Sequence, residues 1–284
     1  MDGITEQKLI AVKPNIRLFA MDYDGTLADG QNYGRDEAIK LIESILEKGK
    51  TPAFITARAA TAIKTFVPPL GKFYQSHPDA PATFIGGGNG TILYQVDARG
   101  VTEIYNHGLS LDEIKYIVAV WKTYAQNNLP PEELNEMGLA AFKNFYGDSW
   151  DGLIPTEILD VGRAFNGRIF TEASKVTFVF PQDASRNQGI VNDMQKLVGE
   201  KYRVLAGGND FCHITKRLEE DGKVVAVKTV LVLLGLNENQ VATFGDMPGG
   251  NDRGLLSFPY SFTNYGETID PVGRVHKAIR FLLE

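Results

Sequence analysis

Leu18-Phe19-Ala20-Met21-Asp22-Tyr23-Asp24-Gly25-Thr26-Leu27 carries an apolar stretch straight into two aspartates one residue apart, then a glycine and a threonine. From Ile16 to Met21 only Arg17 is polar, which suits a strand buried on both faces. The aspartates then fall on a turn at the carboxyl end of that strand, the edge where ligands bind in an open α/β sheet. A calcium loop starting at Asp22 would need an oxygen ligand, a glycine and a glutamate where Thr26, Leu27 and Tyr33 stand, so it fails. A hairpin turn whose aspartates merely cap backbone amides leaves the preceding apolar run unexplained.

Working outward, strand and helix signals alternate. Asp36–Lys48 has Ile39, Ile42, Ile45 and Leu46 at helical spacing, with Gly49 placed as a cap. Pro52–Thr56 reads as a second strand, Ala59–Val67 as a helix stopped by Pro68 and Pro69, and Thr83–Ile85 as a third strand. Such alternation predicts a parallel sheet with right-handed crossovers.

After Gly86–Gly90 the rhythm changes. Thr91–Val96 and Val101–Tyr105 read as antiparallel partners, and Ser110 to Glu113 as a capping box opening a helix with Ile114, Ile117, Val118 and Trp121 on one face. Pro130 and Pro131, and the stretch 147–152 with Trp150, read as loops. Lys175–Phe180, a helix carrying Ile190, Val191, Met194 and Leu197, and Tyr202–Leu205 complete an α+β insert. From about Phe211 the first rhythm returns: helix Lys223–Leu234 ending at Gly235, strands Val241–Phe244 and Tyr260–Thr263, and helix Val272–Leu283. The expected layout is an α/β core of residues 1–88 and 208–284 with an insert of 89–207.

At 284 residues the chain has room for a core and a second module. Its hydrophobic share of 43% and charged share of 23% are those of a soluble globular protein, and no apolar run reaches bilayer-spanning length. The first residues lack the layout of a secretion signal. The single cysteine, Cys212, reads as packing and fits a reducing cytoplasm, the expected location. A net charge of −6 without a basic tract argues against nucleic-acid binding, yet a few local cations and a metal can still hold an anionic substrate. No obligate protein partner is inferred.

The decamer resembles the first signature of the haloacid dehalogenase-like phosphotransferases. That resemblance implies a nucleophile at Asp22, forming an aspartyl-phosphate, and an acid/base at Asp24. Three further elements match in order. Ile55-Thr56-Ala57-Arg58 ends a strand and opens a helix, so the Thr56 hydroxyl and the amides near Ala57 suit an anion, although Thr56 as an ordinary N-cap reads equally well. Lys223 follows Asp221 and Gly222 at the start of an apolar helix, where a lysine opposes the helix dipole. Asp246 ends the strand Val241–Phe244, and Asn251 and Asp252 follow a glycine-rich turn. Magnesium takes hard oxygen ligands: the resemblance assigns Asp22, the Asp24 carbonyl and Asp246 to it, with Asn251 and Asp252 holding ligands or waters around it.

The insert resembles the α/β cap of the Cof-type sugar phosphatases, on a Rossmann-like parallel-sheet core. Two departures stand out. Val224 replaces the glycine usual after the lysine, and four residues, Met247 to Gly250, separate Asp246 from Asn251, more than in Cof-type members. The run Pro248-Gly249-Gly250-Asn251-Asp252 is similar to eukaryotic phosphomannomutases of the same superfamily. The resemblance thus implies a magnesium-dependent phosphatase for a small phosphorylated metabolite, most naturally a sugar phosphate. A phosphohexomutase is the alternative, needing cap cations such as Arg163, Arg168 and Lys175. A non-catalytic ligand-binding protein is a third reading, for which two aspartates at positions 22 and 24 would be superfluous.

Overall fold

Every residue of β1 (Leu18–Met21) is buried, because helices cover both faces of its sheet. Phe19 and Met21 join a core with Ile42 and Ile45 of α2 (Arg35–Glu47) and Val275 and Ile279 of α7 (Pro271–Leu283). Leu18 and Ala20, pointing the other way, join a second core with Ala226, Val227 and Val230 of α6 (Gly222–Leu234). The strand is therefore apolar at every position, without alternation. A computed structural model gives this architecture for residues 4–29, 32–58, 60–129, 169–179, 184–207 and 211–284. Trp150, Arg163, Arg168, Pro130, Pro131 and the stretch 147–152 lie outside the described residues.

Among the described residues, β1 is an interior strand of a seven-stranded sheet ordered β11-β10-β1-β2-β3-β4-β5. The other members are β2 (Thr51–Ile55), β3 (Thr83–Gly87), β4 (Ile92–Asp97), β5 (Gly100–Asn106), β10 (Val241–Gly245) and β11 (Ser261–Thr263). The neighbours from β11 to β3 run parallel, as the alternation predicted, while β4 and β5 add antiparallel strands at one edge. This is an α/β, Rossmann-like core. A short first helix, α1 (Glu6–Val12), adds Leu9 and Val12 to it.

Several expectations are corrected. The helix expected over Ala59–Val67 runs through both prolines as α3 (Ala60–Ser76). An interior proline costs about 3 kcal/mol, but Phe66, Leu70, Phe73 and Tyr74 are all buried, each side chain contributing roughly 1.5–3 kcal/mol. Packing wins. The boundary expected at residue 88 also moves. The chain divides into Met1–Arg58, Ala62–Asn106 and Glu220–Glu284 against Ala59–Thr61 and His107–Glu219. The ladder from β3 to β5 holds residues 92–106 in the first unit.

The second unit carries, among its described residues, a four-stranded sheet ordered β6-β7-β9-β8. Its strands are β6 (Ile169–Thr171), β7 (Val176–Val179), β8 (Tyr202–Gly207) and β9 (Phe211–Lys216), so the stretch after Phe211 belongs here and not to the core sheet. Helices α4 (Leu111–Asn128) and α5 (Asn187–Val198) pack on it, with Trp121 stacked 4.4 Å from Phe178. Val198 fills the last helical position of that core, and Leu197, expected there, is exposed. Cys212 is buried in this cluster, as packing. No helix among the described residues is long and apolar enough to cross a membrane.

Candidate active site

Parallel register brings three strand ends to one level. Met21 lies beside Phe244 on one side and Phe54 on the other, so the residues that follow, Asp22, Asp246 and Thr56, emerge from neighbouring strands at the same edge. The Asp22 amide continues the ladder to Phe244 O at 2.9 Å. Gly25 turns the chain just beyond, at φ 76°. A Cβ there would also collide with the Asp246 carboxylate, so glycine is required twice over. Two side chains brace this turn: Asn264 Nδ2 donates to Gly25 O and His276 Nε2 to Leu27 O, both at 2.9 Å.

Lys223 is wholly buried, donating to Asp22 at 2.7 Å and to Asp252 at 2.5 Å. The Asp221 side chain caps its helix by accepting from Lys223 N at 3.0 Å. The other Asp252 oxygen accepts from the amides of Asp246 and Met247, at 3.0 Å each, and so folds the glycine-rich loop around itself. One carboxylate oxygen each from Asp22, Asp246 and Asp252 lie within 4.8 Å of one another. Asn251 is half-buried and its Oδ1 has no partner.

Two buried carboxylates, Asp22 and Asp252, share one buried ammonium, and the half-buried Asp246 stands beside them, so ionised together the three carry more negative charge than Lys223 offsets. Burial pushes Asp22 up to about 7, with Asp252 adding repulsion and Lys223 opposing. Burial pushes Asp246 up to about 8, helped by Asp252 and Asp22. Burial would also raise Asp252 and lower Lys223. Their mutual pairing outweighs it, so Asp252 sits below and Lys223 above the ordinary value. A divalent cation matches both the surplus charge and the hard-oxygen donors. The residues fit magnesium.

Asp22 and Asp246 titrate from 3.8 in a free side chain to about 7 and 8 in the fold, so the metal-free fold holds more protons than the unfolded chain in that window. Stability should fall as pH rises through it. Thermal melts in chelator between pH 5 and about 8 check this, and the slope should flatten in Asp246→Asn; an unchanged slope there contradicts it.

Thr56 is buried, its Oγ1 accepting from Arg58 N at 3.1 Å, in the turn between β2 and α3 that also holds the half-buried Ala57. The chain does not stay extended past Asp22, and the exposed Asp24 carboxylate is held by Arg58 through Nε at 2.8 Å and Nη2 at 2.6 Å. Arg58 also lies over the Tyr23 ring, 4.9 Å from its centroid. Sequence reasoning left Arg58 unassigned, since nothing local to Ile55–Arg58 names its acidic partner 34 positions away.

A family model for haloacid dehalogenase-like hydrolases matches residues 19–258. The chain belongs to the haloacid dehalogenase-like hydrolases. Solved structures of that fold agree along almost the whole chain. A putative HAD/COF-like hydrolase from Plasmodium vivax matches with a TM-score of 0.63 at 20% identity, covering 98% of each chain. A haloacid dehalogenase-like hydrolase from Bacteroides thetaiotaomicron matches at 0.59 and 16%, covering 93% of this chain and 98% of that one. An N-terminally truncated, IMP-bound IMP-nucleotidase of Plasmodium falciparum matches at 0.60 and 13%, covering 97% and 70%. No curated protein matches in sequence. At these identities the likeness is one of fold, and the haloacid dehalogenase-like assignment rests on the family model.

Proposed function

We propose that the protein is a magnesium-dependent phosphatase that hydrolyses the phosphate monoester of a small metabolite, a sugar phosphate first among them. The observation that carries this reading is the pairing of buried Lys223 with Asp22 and Asp252, with Asp246 offering a third carboxylate beside them. Magnesium, held by Asp22 and Asp246 with Asp252 behind them, would supply positive charge to the phosphoryl oxygens. Lys223 and the Thr56 hydroxyl hold and orient the same oxygens, which is most of what phosphoryl transfer asks of a protein.

An Asp22 oxygen attacks phosphorus, and the bond to the alcohol oxygen breaks as Asp24, which takes up a proton from solvent on leaving Arg58, gives that proton to the departing oxygen. Water then attacks the phosphorus of the aspartyl-phosphate and passes a proton to Asp24. The P–O bond to Asp22 breaks, releasing inorganic phosphate. Asp24 reaches its place in both steps by leaving Arg58, an exposed pair of small net worth.

Phosphate release from a panel of sugar phosphates and nucleoside monophosphates, the latter included because an IMP-nucleotidase shares the fold, tests this. Sugar phosphates should turn over fastest with magnesium, and chelation should stop release. No release from any member, or release indifferent to chelator, overturns the reading. Interconversion of hexose 1- and 6-phosphates with little release would point instead to the mutase that the Pro248–Asp252 wording suggests.

A further inference from the structure

Between β3 and β4 the chain turns through Gly88, Asn89 and Gly90 at φ 55°, 58° and 84°. Glycine adopts these angles freely, whereas a left-handed residue with a side chain costs about 1 kcal/mol, somewhat less for asparagine. Asn89 bears a second cost. It is 6% exposed, and neither Oδ1 nor Nδ2 has a hydrogen-bond partner, where an unsatisfied buried amide costs about 1–3 kcal/mol. Glycine at this position would remove both costs, and the chain already uses glycine on either side. The carboxamide is kept for something other than the turn.

Its location says what. The Asn89 amide donates to Thr56 O at 2.9 Å. Its carbonyl presses on Gly222 so closely that a Cβ at 222 would collide with it, and a Cβ at Gly90 would meet the Gly222 carbonyl and the Lys223 amide. Asn89 is therefore wedged between the turn bearing Thr56 and the helix start bearing Lys223. Building on the phosphatase reading, we propose that Asn89 is a third phosphate-contacting residue, whose Nδ2–H donates to an oxygen of the phosphoryl group held by Thr56 and Lys223.

Asn89→Gly separates this from a structural role, because it keeps the backbone and deletes only the carboxamide. Binding of orthophosphate to the magnesium-loaded protein is measured by calorimetry, with thermal melts and kcat/KM alongside. The thermal midpoint should hold or rise, while orthophosphate binding and kcat/KM fall ~10- to 100-fold, the worth of a hydrogen bond to a charged oxygen. Asn89→Asp, which also tolerates the left-handed backbone, should bind orthophosphate more weakly still. Phosphate binding by Asn89→Gly within about twofold of wild type, or failure of that variant to fold, overturns the inference alone. A wild-type protein that binds no orthophosphate overturns the phosphatase reading and takes this inference with it.

Discussion

Asp22→Asn should lower phosphate release by on the order of 10⁴-fold or more, since it replaces the attacking carboxylate with a carboxamide, whose oxygen is a far weaker nucleophile. The variant should still fold. Asparagine has the shape of aspartate, and Lys223 keeps its second partner, Asp252. Removing one of three carboxylates clustered around a single ammonium's two partners also relieves repulsion, so the metal-free variant should melt at or above the wild-type midpoint. Acid quenching during turnover gives an independent check. Phosphate should be found covalently on the wild-type protein and not on the variant. Phosphate release by Asp22→Asn comparable with wild type would sink the nucleophile assignment.

Lys223→Met should cost both stability and phosphate binding. The ammonium is wholly buried between Asp22 and Asp252. Removing one partner of a buried ion pair leaves charge without compensation and costs about 3–5 kcal/mol. Here two carboxylates lose their partner at once and Asp246 stands beside them. Denaturant melts of the metal-free variant should show a loss of that size, partly restored by magnesium, which neutralises the same group. Removing a cation aimed at the phosphoryl oxygens should also cost roughly 10²–10³-fold in turnover. A variant as stable as wild type in chelator would mean that the lysine does not hold this cluster together.

Much of the site was legible along the chain because strand ends announce themselves. Asp22, Thr56 and Asp246 each follow an apolar run of strand length, and adjacent parallel strands in a common register must then deliver them to one edge. Lys223 was legible too, as a charge on an otherwise apolar helix start. The pairing of Asp24 with Arg58 was not. Whether two carboxylates one residue apart share a face depends on how far the strand stays extended, and that is set by the turn at Gly25 against Asp246. The bracing of that turn by Asn264 and His276 comes from residues more than 230 positions on, without local pattern. The division of labour within Asn251-Asp252 depended on which side chain the loop turned inward toward Lys223.

Local order of residue types thus sufficed for the parallel core, the insert and the strand-end acids, because burial on two faces and helical spacing are written in neighbouring residues. The helix through Pro68 and Pro69 and the joining of the antiparallel β4–β5 pair to the core sheet came from tertiary contacts instead. There, burial of Phe66, Leu70, Phe73 and Tyr74 and a shared hydrogen-bond ladder outweighed what the local residues favoured. The surplus charge of the acidic cluster also has its origin in space and not in composition. Asp22 and Lys223 stand 201 positions apart, and only folding takes them out of water together, where three carboxylates and one ammonium demand a cation.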